Sequence, residues 1–184
     1  MTLRNIHIRE TSAIDLNAIL AVERTAFIDD EEVVTLTRDL LTDPTAEPLV
    51  SLLAFDGETP VGHILFTKAQ IVGVDRCPLM HILAPLAVIP DYQKQGIGGK
   101  LIRAGLEKLR VLGSERCFVI GHMDYYPRYG FIPDAAAQSF PAPYPIPEKD
   151  KDAWMVQDLV EKATEIKGQI ICADVMMKPE YWKE

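Results

Sequence analysis

The chain has 184 residues, of which 48% are hydrophobic and 25% are charged, and its formal net charge is −8. These values are typical of a folded globular domain, and the chain has no basic stripe of the kind that neutralises nucleic-acid phosphates, so nucleic acid is excluded as the principal partner. The cysteines Cys77, Cys117 and Cys172 lie far apart and match no metal-ligand spacing, which predicts neither a metal site nor a disulfide. No apolar stretch is long enough for a membrane span or a signal-peptide core, so we expect a cytoplasmic protein with no membrane partner.

The first 41 residues are predicted to form a strand and two helices. Apolar and polar residues alternate over residues 6–8, as in a half-buried strand. Ser12 and Asp15 then have the spacing of a capping box, ahead of a helix predicted over residues 12–27. A second helix is predicted over residues 31–41, because acidic residues stand at its start, where the helix dipole favours them.

The rest of the chain is predicted to alternate between strands and one long helix. Six apolar runs are interpreted as strands, and they cover residues 49–55, 61–72, 80–89, 117–120, 154–160 and 169–176. Asp56-Gly57 predicts a hairpin turn after the first run. The helix is predicted over residues 98–112 and ends at Gly113. Its periodicity places Gly99 on the polar face, opposite the apolar face. A short helical turn is predicted over residues 124–129.

The segment 86–101 carries the pattern most informative about chemistry. A buried strand breaks at a proline, and a polar turn, three glycines and an amphipathic helix follow. Glycines let the backbone approach a ligand closely, and the free amides at a helix start form an anion site that suits a pyrophosphate. A P-loop would need a glycine at position 94 and a Ser or Thr at position 101, where this chain has Lys94 and Leu101. A dinucleotide fingerprint would need its third glycine at position 101. Both motifs are therefore rejected.

Two segments together resemble a known family. Gln93, Gly96 and Gly98 match the (Arg/Gln)-x-x-Gly-x-(Gly/Ala) signature of the GNAT acetyltransferases. The segment 125–131 resembles the family's aromatic-Tyr-x-(Lys/Arg)-x-Gly-Phe element, which follows the next strand in that family. The whole chain fits the resemblance, including a tail similar to that of the uncharacterised "predicted N-acetyltransferase" branch. One departure is Pro127, which stands where many relatives have Glu and should be tolerated in the first turn of a helix.

The resemblance implies an α/β fold of GNAT type. It implies one domain over residues 1–184, of which residues 150–184 are a part. The central sheet would be mixed, mostly antiparallel and six- to seven-stranded, with helices on both faces and splayed central strands. Residues 86–89 would splay from residues 117–120, and we expect a bulge around Ala87 or Val88 to free backbone groups for the pantetheine arm of coenzyme A.

The resemblance also implies an enzyme that uses acetyl-CoA as cosubstrate and needs no metal. The acetyl group would pass to a primary amine by direct attack, without an acetyl-enzyme, and the Val88 amide would polarise the thioester carbonyl. Tyr126 is the predicted acid, since a phenol with a pKa near 10 is protonated at neutral pH and close in pKa to a thiol. The residues implied in cofactor binding are Leu86, Ala87, Val88, Gln93, Lys94, Gln95, Gly96, Gly98, Gly99 and Lys100.

The acceptor and the general base stay open at this point. The base candidates are His81, His63, Glu23, His122 and Asp124, and a water relay could replace any of them. A small-molecule or peptide amine is the expected partner, and an acidic surface could attract a cationic amine. By analogy with the fold, the helix pair 12–41 and the segment 140–147 would border its pocket. A homodimer is possible, and a non-catalytic acyl-CoA-binding module is the alternative function.

Overall fold

A computed structural model of the chain describes residues 5–182, so the ends of the predicted domain, residues 1–4 and 183–184, lie outside the described residues. The strands within the described range are β1 (Ile6–Glu10), β2 (Val50–Asp56), β3 (Thr59–Ile71), β4 (Met80–Val88), β5 (Arg116–Ile120), β6 (Trp154–Asp158) and β7 (Ile170–Ile171). The α-helices in the same range are α1 (Leu16–Ala26), α2 (Glu31–Leu40) and α3 (Ile97–Leu112). None of these helices is long and apolar enough to cross a membrane.

The strands form one mixed sheet in the order β1-β2-β3-β4-β5-β6, and β7 pairs with the far end of β3. Every neighbouring pair is antiparallel except β4 and β5, which run parallel. The predicted mostly antiparallel, seven-stranded sheet is therefore confirmed. The last strand is much shorter than the predicted residues 169–176, because side chains near residue 45 bind the backbone that follows it. The Asp174 amide donates to Thr45 Oγ1, and the Val175 amide donates to the Asp43 carboxylate.

Helices cover both faces of the sheet, as predicted. On one face α1 packs its apolar side, with Ile19 and Val22, onto Leu53 and Ala87. The apolar stripe of α3 is buried on the opposite face, where Gly62 lets the side chain of Leu101 come close to β3. Each strand between these layers is buried on both sides, which explains why β2, β3 and β4 appear in the sequence as nearly continuous apolar runs.

Strand β4 changes character halfway along its length. Its pairing with β5 runs from Met80 to Leu83 and stops there. Two residues, Ala84 and Pro85, then stand opposite the single residue Leu65 of β3, which is a β-bulge. The bulge was predicted around Ala87 or Val88, and that position was wrong. Proline has no N–H and cannot donate to a ladder, so the irregularity falls at the proline.

Candidate active site

The splay of β4 from β5 leaves the strand segment 84–88 with one unpaired edge. The Ile89 amide donates to the Val61 carbonyl of β3 at 3.0 Å, whereas the Val88 carbonyl accepts from the Gln93 side chain at 2.9 Å. The polar groups of successive strand residues point to opposite edges. The Val88 carbonyl and amide therefore both face away from β3, toward the gap. This geometry suits a donor for the carbonyl oxygen of an extended ligand.

The loop after β4 holds its shape through unusual backbone angles and side-chain contacts. Tyr92 donates to the Asp56 carboxylate at 3.0 Å, which ties the start of the loop to β2. Lys94 has φ 58° and Gly96 has φ 82°, both in the left-handed region. A non-glycine residue in that region is strained by about 1–2 kcal/mol, and such strain clusters at ligand sites. Gln93 and Gln95, which flank Lys94, are exposed.

Helix α3 presents an anion site at its first turn. The amide of Lys100 is the first to bond back, to the Gly96 carbonyl at 3.1 Å. The amides of Ile97, Gly98 and Gly99 therefore have no intrahelical acceptor, and they stand at the positive end of a 16-residue helix. The side chains of Lys94 and Lys100 are exposed beside this turn.

Two glycines of this turn are explained by tyrosines rather than by the anion site. A Cβ on Gly98 would lie 2.4 Å from the Tyr125 hydroxyl oxygen, and one on Gly99 would lie 2.4 Å from the Tyr129 hydroxyl oxygen. Gly99 was predicted on the polar face of the helix, but it is buried beneath Tyr129. The two sequence motifs therefore pack directly against each other.

Tyr126 begins the short helical turn 126–129, in which Pro127 stands in the first turn as predicted. Its side chain is 8% exposed and packs edge-to-face against Tyr125 and Phe131. Its hydroxyl forms no hydrogen bond to any other residue in the range 5–182. Burial raises the pKa of Tyr126 above its ordinary value of 10, so the hydroxyl stays protonated at neutral pH.

A cavity of about 510 Å³ opens where β4 and β5 separate, and Tyr126 is part of its wall. The sheet side of the cavity is formed by Leu83, Ala84, Pro85, Leu86, Ile120, Gly121 and His122. The helix side is formed by Phe27, Asp30, Glu32, Val33 and Leu36, which belong to the segment 12–41. The cavity therefore joins the unpaired edge of β4 to the helix pair.

The remaining wall of this cavity comes from the C-terminal segment 176–182, which the sequence analysis had missed. It contributes Met176, Glu180, Tyr181 and Trp182. Trp182 is 1% exposed, stacks edge-to-face on Trp154 and donates its indole N–H to the Met176 carbonyl at 2.9 Å. The segment 140–147, expected to border the acceptor pocket, lines a second cavity of about 450 Å³.

The structure separates the five candidates for the general base. His81 is fully buried near the opposite end of β4, roughly 20 Å from Val88 at the rise per residue of a strand. Its Nε2 bonds the Pro48 carbonyl at 2.7 Å, which requires a proton on Nε2, and its Nδ1 lies 2.9 Å from Ser114 Oγ. Burial lowers the pKa of His81. Asp124 does not line the cavity, and of the five only His122 does.

Glu23 and His63 form a buried pair behind the cleft. His63 Nδ1 is hydrogen-bonded to Glu23 Oε1, His63 Nε2 lies 3.0 Å from Ser51 Oγ, and Thr11 donates to the same Ser51 oxygen at 2.8 Å. Burial raises the pKa of Glu23, and its Oε2 has no hydrogen-bond partner among the described residues. His63 stands opposite Ala87 in the ladder, so this chain of polar groups anchors α1 to the sheet beneath the unpaired edge of β4.

The bulge could have been located from the sequence alone. Pro85 lies within an apolar run that was interpreted as a central strand, and in such a strand a proline marks an edge or a bulge. The contribution of the segment 176–182 carried no comparable signal. It follows from the turn at Asp174, which depends on contacts with residues 43 and 45 more than 120 positions earlier in the chain.

Comparisons with known proteins agree with this geometry. Residues 14–131 match the model of the Acetyltransferase (GNAT) family. The chain is 49% identical over 175 residues to the "Uncharacterized N-acetyltransferase YjhQ" of Escherichia coli K12, a match that covers 95% of this chain and 96% of the relative.

Two solved structures extend the agreement to three dimensions. The Escherichia coli GNAT family N-acetyltransferase YhbS, in complex with CoA, has a TM-score of 0.85 and 25% identity over 97% of this chain and 95% of its own. A Brucella melitensis GNAT family acetyltransferase, in complex with acetyl-CoA, has a TM-score of 0.73 and 26% identity over 95% of this chain and 99% of its own. The chain belongs to the GNAT family of N-acetyltransferases.

Proposed function

We propose that this N-acetyltransferase moves an acetyl group from acetyl-CoA to a primary amine by direct attack, in a complex that holds both substrates at once. The observation that carries the proposal is the convergence of three features on one gap. The unpaired edge of β4 and the side chain of Tyr126 line it, and the start of α3 adjoins them through Gly98, which stands against Leu86 and Tyr125. Family membership and the CoA-bound relatives support the same conclusion.

The described residues fit coenzyme A. The pyrophosphate would rest on the amides of Ile97, Gly98 and Gly99, with Lys94 and Lys100 beside it. The pantetheine arm would add to the unpaired edge of β4 over residues 84–88, as an extended peptide adds to a sheet edge. When bound, acetyl-CoA supplies an activated acetyl carbon as a thioester.

Two groups of the chain would act on the reacting atoms. The Val88 amide would donate to the thioester carbonyl oxygen, where negative charge develops during attack, and a preorganised donor at that position is worth roughly 3–4 kcal/mol. Tyr126 would donate its proton, or a hydrogen bond, to the departing sulfur. Burial raises the pKa of Tyr126 and so moves it further from the pKa of a thiol. Proton transfer from this phenol is then less favourable, and hydrogen bonding to the sulfur would be its main contribution.

His122 would take the proton from the attacking amine. Among the five base candidates it alone lines the cavity, and its side chain is exposed, so the proton can pass on to solvent. Holding amine and thioester together would supply much of the remaining acceleration.

We also infer one domain over residues 1–184, because β6 completes the sheet and Trp182 packs on Trp154.

The test combines calorimetric titration with acetyl-CoA and a thiol-release assay in the presence of primary amines. A matched pair of variants, Gly96→Asp and Gly96→Asn, isolates the anion site. Both residues tolerate the left-handed backbone, a Cβ at Gly96 meets nothing within 4 Å, and the two variants differ only in charge. We expect Gly96→Asp to weaken acetyl-CoA binding at least tenfold relative to Gly96→Asn.

The outcomes separate the alternatives. Binding together with amine-dependent thiol release supports the enzyme. Binding without release from any amine supports a non-catalytic acyl-CoA-binding module. No binding by the unmodified protein, or equal binding by the two Gly96 variants, contradicts the proposed pyrophosphate site.

A further inference from the structure

We infer that the acceptor is a cationic amine: a primary amine on an apolar stem that carries a second positive charge at its far end. The inference rests on the proposed function and names the substrate class of that site. It follows from how charge and burial are distributed along the 510 Å³ cavity.

The inner part of the cavity is apolar and buried. Leu83 is 2% exposed, Met176 3% and Trp182 1%. Such surroundings disfavour an ammonium and favour the neutral amine that must attack. The side chain of Tyr126 is more than nine-tenths buried and its hydroxyl has no partner among residues 5–182, so the hydroxyl is available to a polar ligand group.

The outer part of the cavity is acidic. Asp30 and Glu32, from the start of α2, and Glu180, from the C-terminal segment, line it and are all exposed. No lysine or arginine stands among the described residues that line the cavity. Asp30 caps the helix by accepting from the Val33 amide at 3.3 Å, but Glu32 and Glu180 form no ion pair within the described part of the chain.

A neighbouring carboxylate outside the cavity lining provides an internal control. Glu31 lies outside the cavity lining and is paired with Arg24 at 3.0 Å. The start of α2 contributes only about half a positive charge through its dipole, which cannot offset three carboxylates. The three carboxylates outnumber the cation beside the lining, Lys178, whose Nζ lies 5.6 Å from the ring centre of Tyr181, and this negative excess attracts a distant cationic group and repels an anionic one.

The test uses three four-carbon primary amines that differ only in their far end: 1,4-diaminobutane, butylamine and 4-aminobutyrate. Their affinity for the CoA-bound protein is measured by calorimetry, and their acetylation is measured by thiol release. We expect 1,4-diaminobutane to bind at least tenfold more tightly than butylamine, and 4-aminobutyrate to bind most weakly. The advantage of the diamine should shrink as ionic strength rises.

Charge variants assign the effect to the cavity mouth. The double variant Glu32→Gln/Glu180→Gln should reduce the preference for the diamine at least fivefold, whereas Glu31→Gln should leave it unchanged. Equal affinities for the three amines, no detectable binding of the diamine, or a preference that survives the double variant would overturn the inference. None of these results affects acetyl-CoA binding, so a failure of the inference and a failure of the proposed function are distinguishable.

Discussion

The two ends of strand β4 follow each other directly in sequence but have opposite roles. From Met80 to Leu83 the strand is paired on both edges, and the polar side chain there, His81, has partners for both ring nitrogens. From Ala84 to Val88 it is paired only with β3, and residues 84–86 of this stretch line the cavity. Both ends are mainly apolar, so composition does not distinguish them, although residues 80–83 are all buried and only Ala87 is buried at the open end.

The difference between the two ends shows which backbone groups of β4 are available to bind a ligand. Backbone groups that have found partners contribute to stability, and groups left without partners are available to a ligand. The bulge at Ala84–Pro85 marks the boundary between the two states. Substitutions at the paired end should therefore change stability and leave turnover intact, and substitutions at the open end should do the reverse.

The largest expected effect is at the open end. Tyr126→Phe removes only the hydroxyl proposed to donate a hydrogen bond to the departing sulfur, so we expect the turnover number to fall by about 100- to 1,000-fold, the range typical of losing one donor to developing negative charge. Acetyl-CoA affinity, measured by calorimetry, and melting temperature should stay within error, because the hydroxyl has no partner among the described residues. Tyr144→Phe, which removes a hydroxyl bonded to the Met177 carbonyl outside the cleft, is the control for loss of a tyrosine hydroxyl. Full activity in Tyr126→Phe would remove this residue from the mechanism.

The next effect is at the paired end. His81→Ala leaves the Pro48 carbonyl without its partner in a buried site and removes the bond to the Ser114 hydroxyl, which can still donate to the Arg116 carbonyl at 3.2 Å. We expect the free energy of unfolding, from urea titration, to fall by about 2–4 kcal/mol. Turnover per folded molecule should not change. Ser114→Ala, which removes one of the two bonds, should cost less, and a large loss of turnover in folded His81→Ala would restore His81 as a base candidate.

The same variant should change how stability depends on pH. Burial holds the pKa of His81 below its ordinary value of 6.5, so the unfolded chain takes up a proton that the folded chain resists. The stability that His81 contributes is therefore present above pH 6.5 and is lost as the pH falls below it, at up to about 1.4 kcal/mol per pH unit. The free energy of unfolding of His81→Ala should change less between pH 6.5 and 5.5 than that of the unmodified protein.

The smallest effect concerns the packing that supports the open end. Gly98→Ala would place a methyl group 2.4 Å from the Tyr125 hydroxyl, so we expect a loss of about 1–3 kcal/mol in unfolding free energy. Adding Tyr125→Phe should restore most of it, because the next ring atom lies at 3.6 Å, an ordinary contact. Tyr129→Phe should not rescue Gly99→Ala in the same way, since two ring carbons there remain at 2.9 Å. Equal rescue of both pairs, in thermal melts, would show that the two contacts are not distinct.

Local patterns were sufficient to predict the order of the elements and the glycine-rich loop before α3. The capping-box spacing is an example: the Asp15 carboxylate accepts from the Ser12 amide at 2.8 Å, ahead of α1. The turn after β2 and the end of α3 at Gly113 also lie where glycine and turn chemistry placed them. Such features depend on residues within a few positions of one another, which is why one sequence is enough to find them.

The parts of the site that were missed depend on residues far apart in the chain. The buried Glu23–His63 pair joins residues 40 positions apart, and the contact of Gly99 with Tyr129 joins residues 30 positions apart. A helical periodicity places Gly99 on one side of α3, but it does not show what covers that side. The cavity wall at residues 176–182 likewise depends on where the chain turns after β7.

The close packing of Gly98 on Tyr125 and of Gly99 on Tyr129 has a thermodynamic consequence. The loop that would grip the pyrophosphate and the turn that carries Tyr126 share these contacts, so a ligand that orders one also restricts the other. Coupling of this kind is reciprocal: the factor by which coenzyme A strengthens acceptor binding is also the factor by which the acceptor strengthens coenzyme A binding. In the proposed complex the two substrates would therefore be linked through the protein even where they do not touch each other.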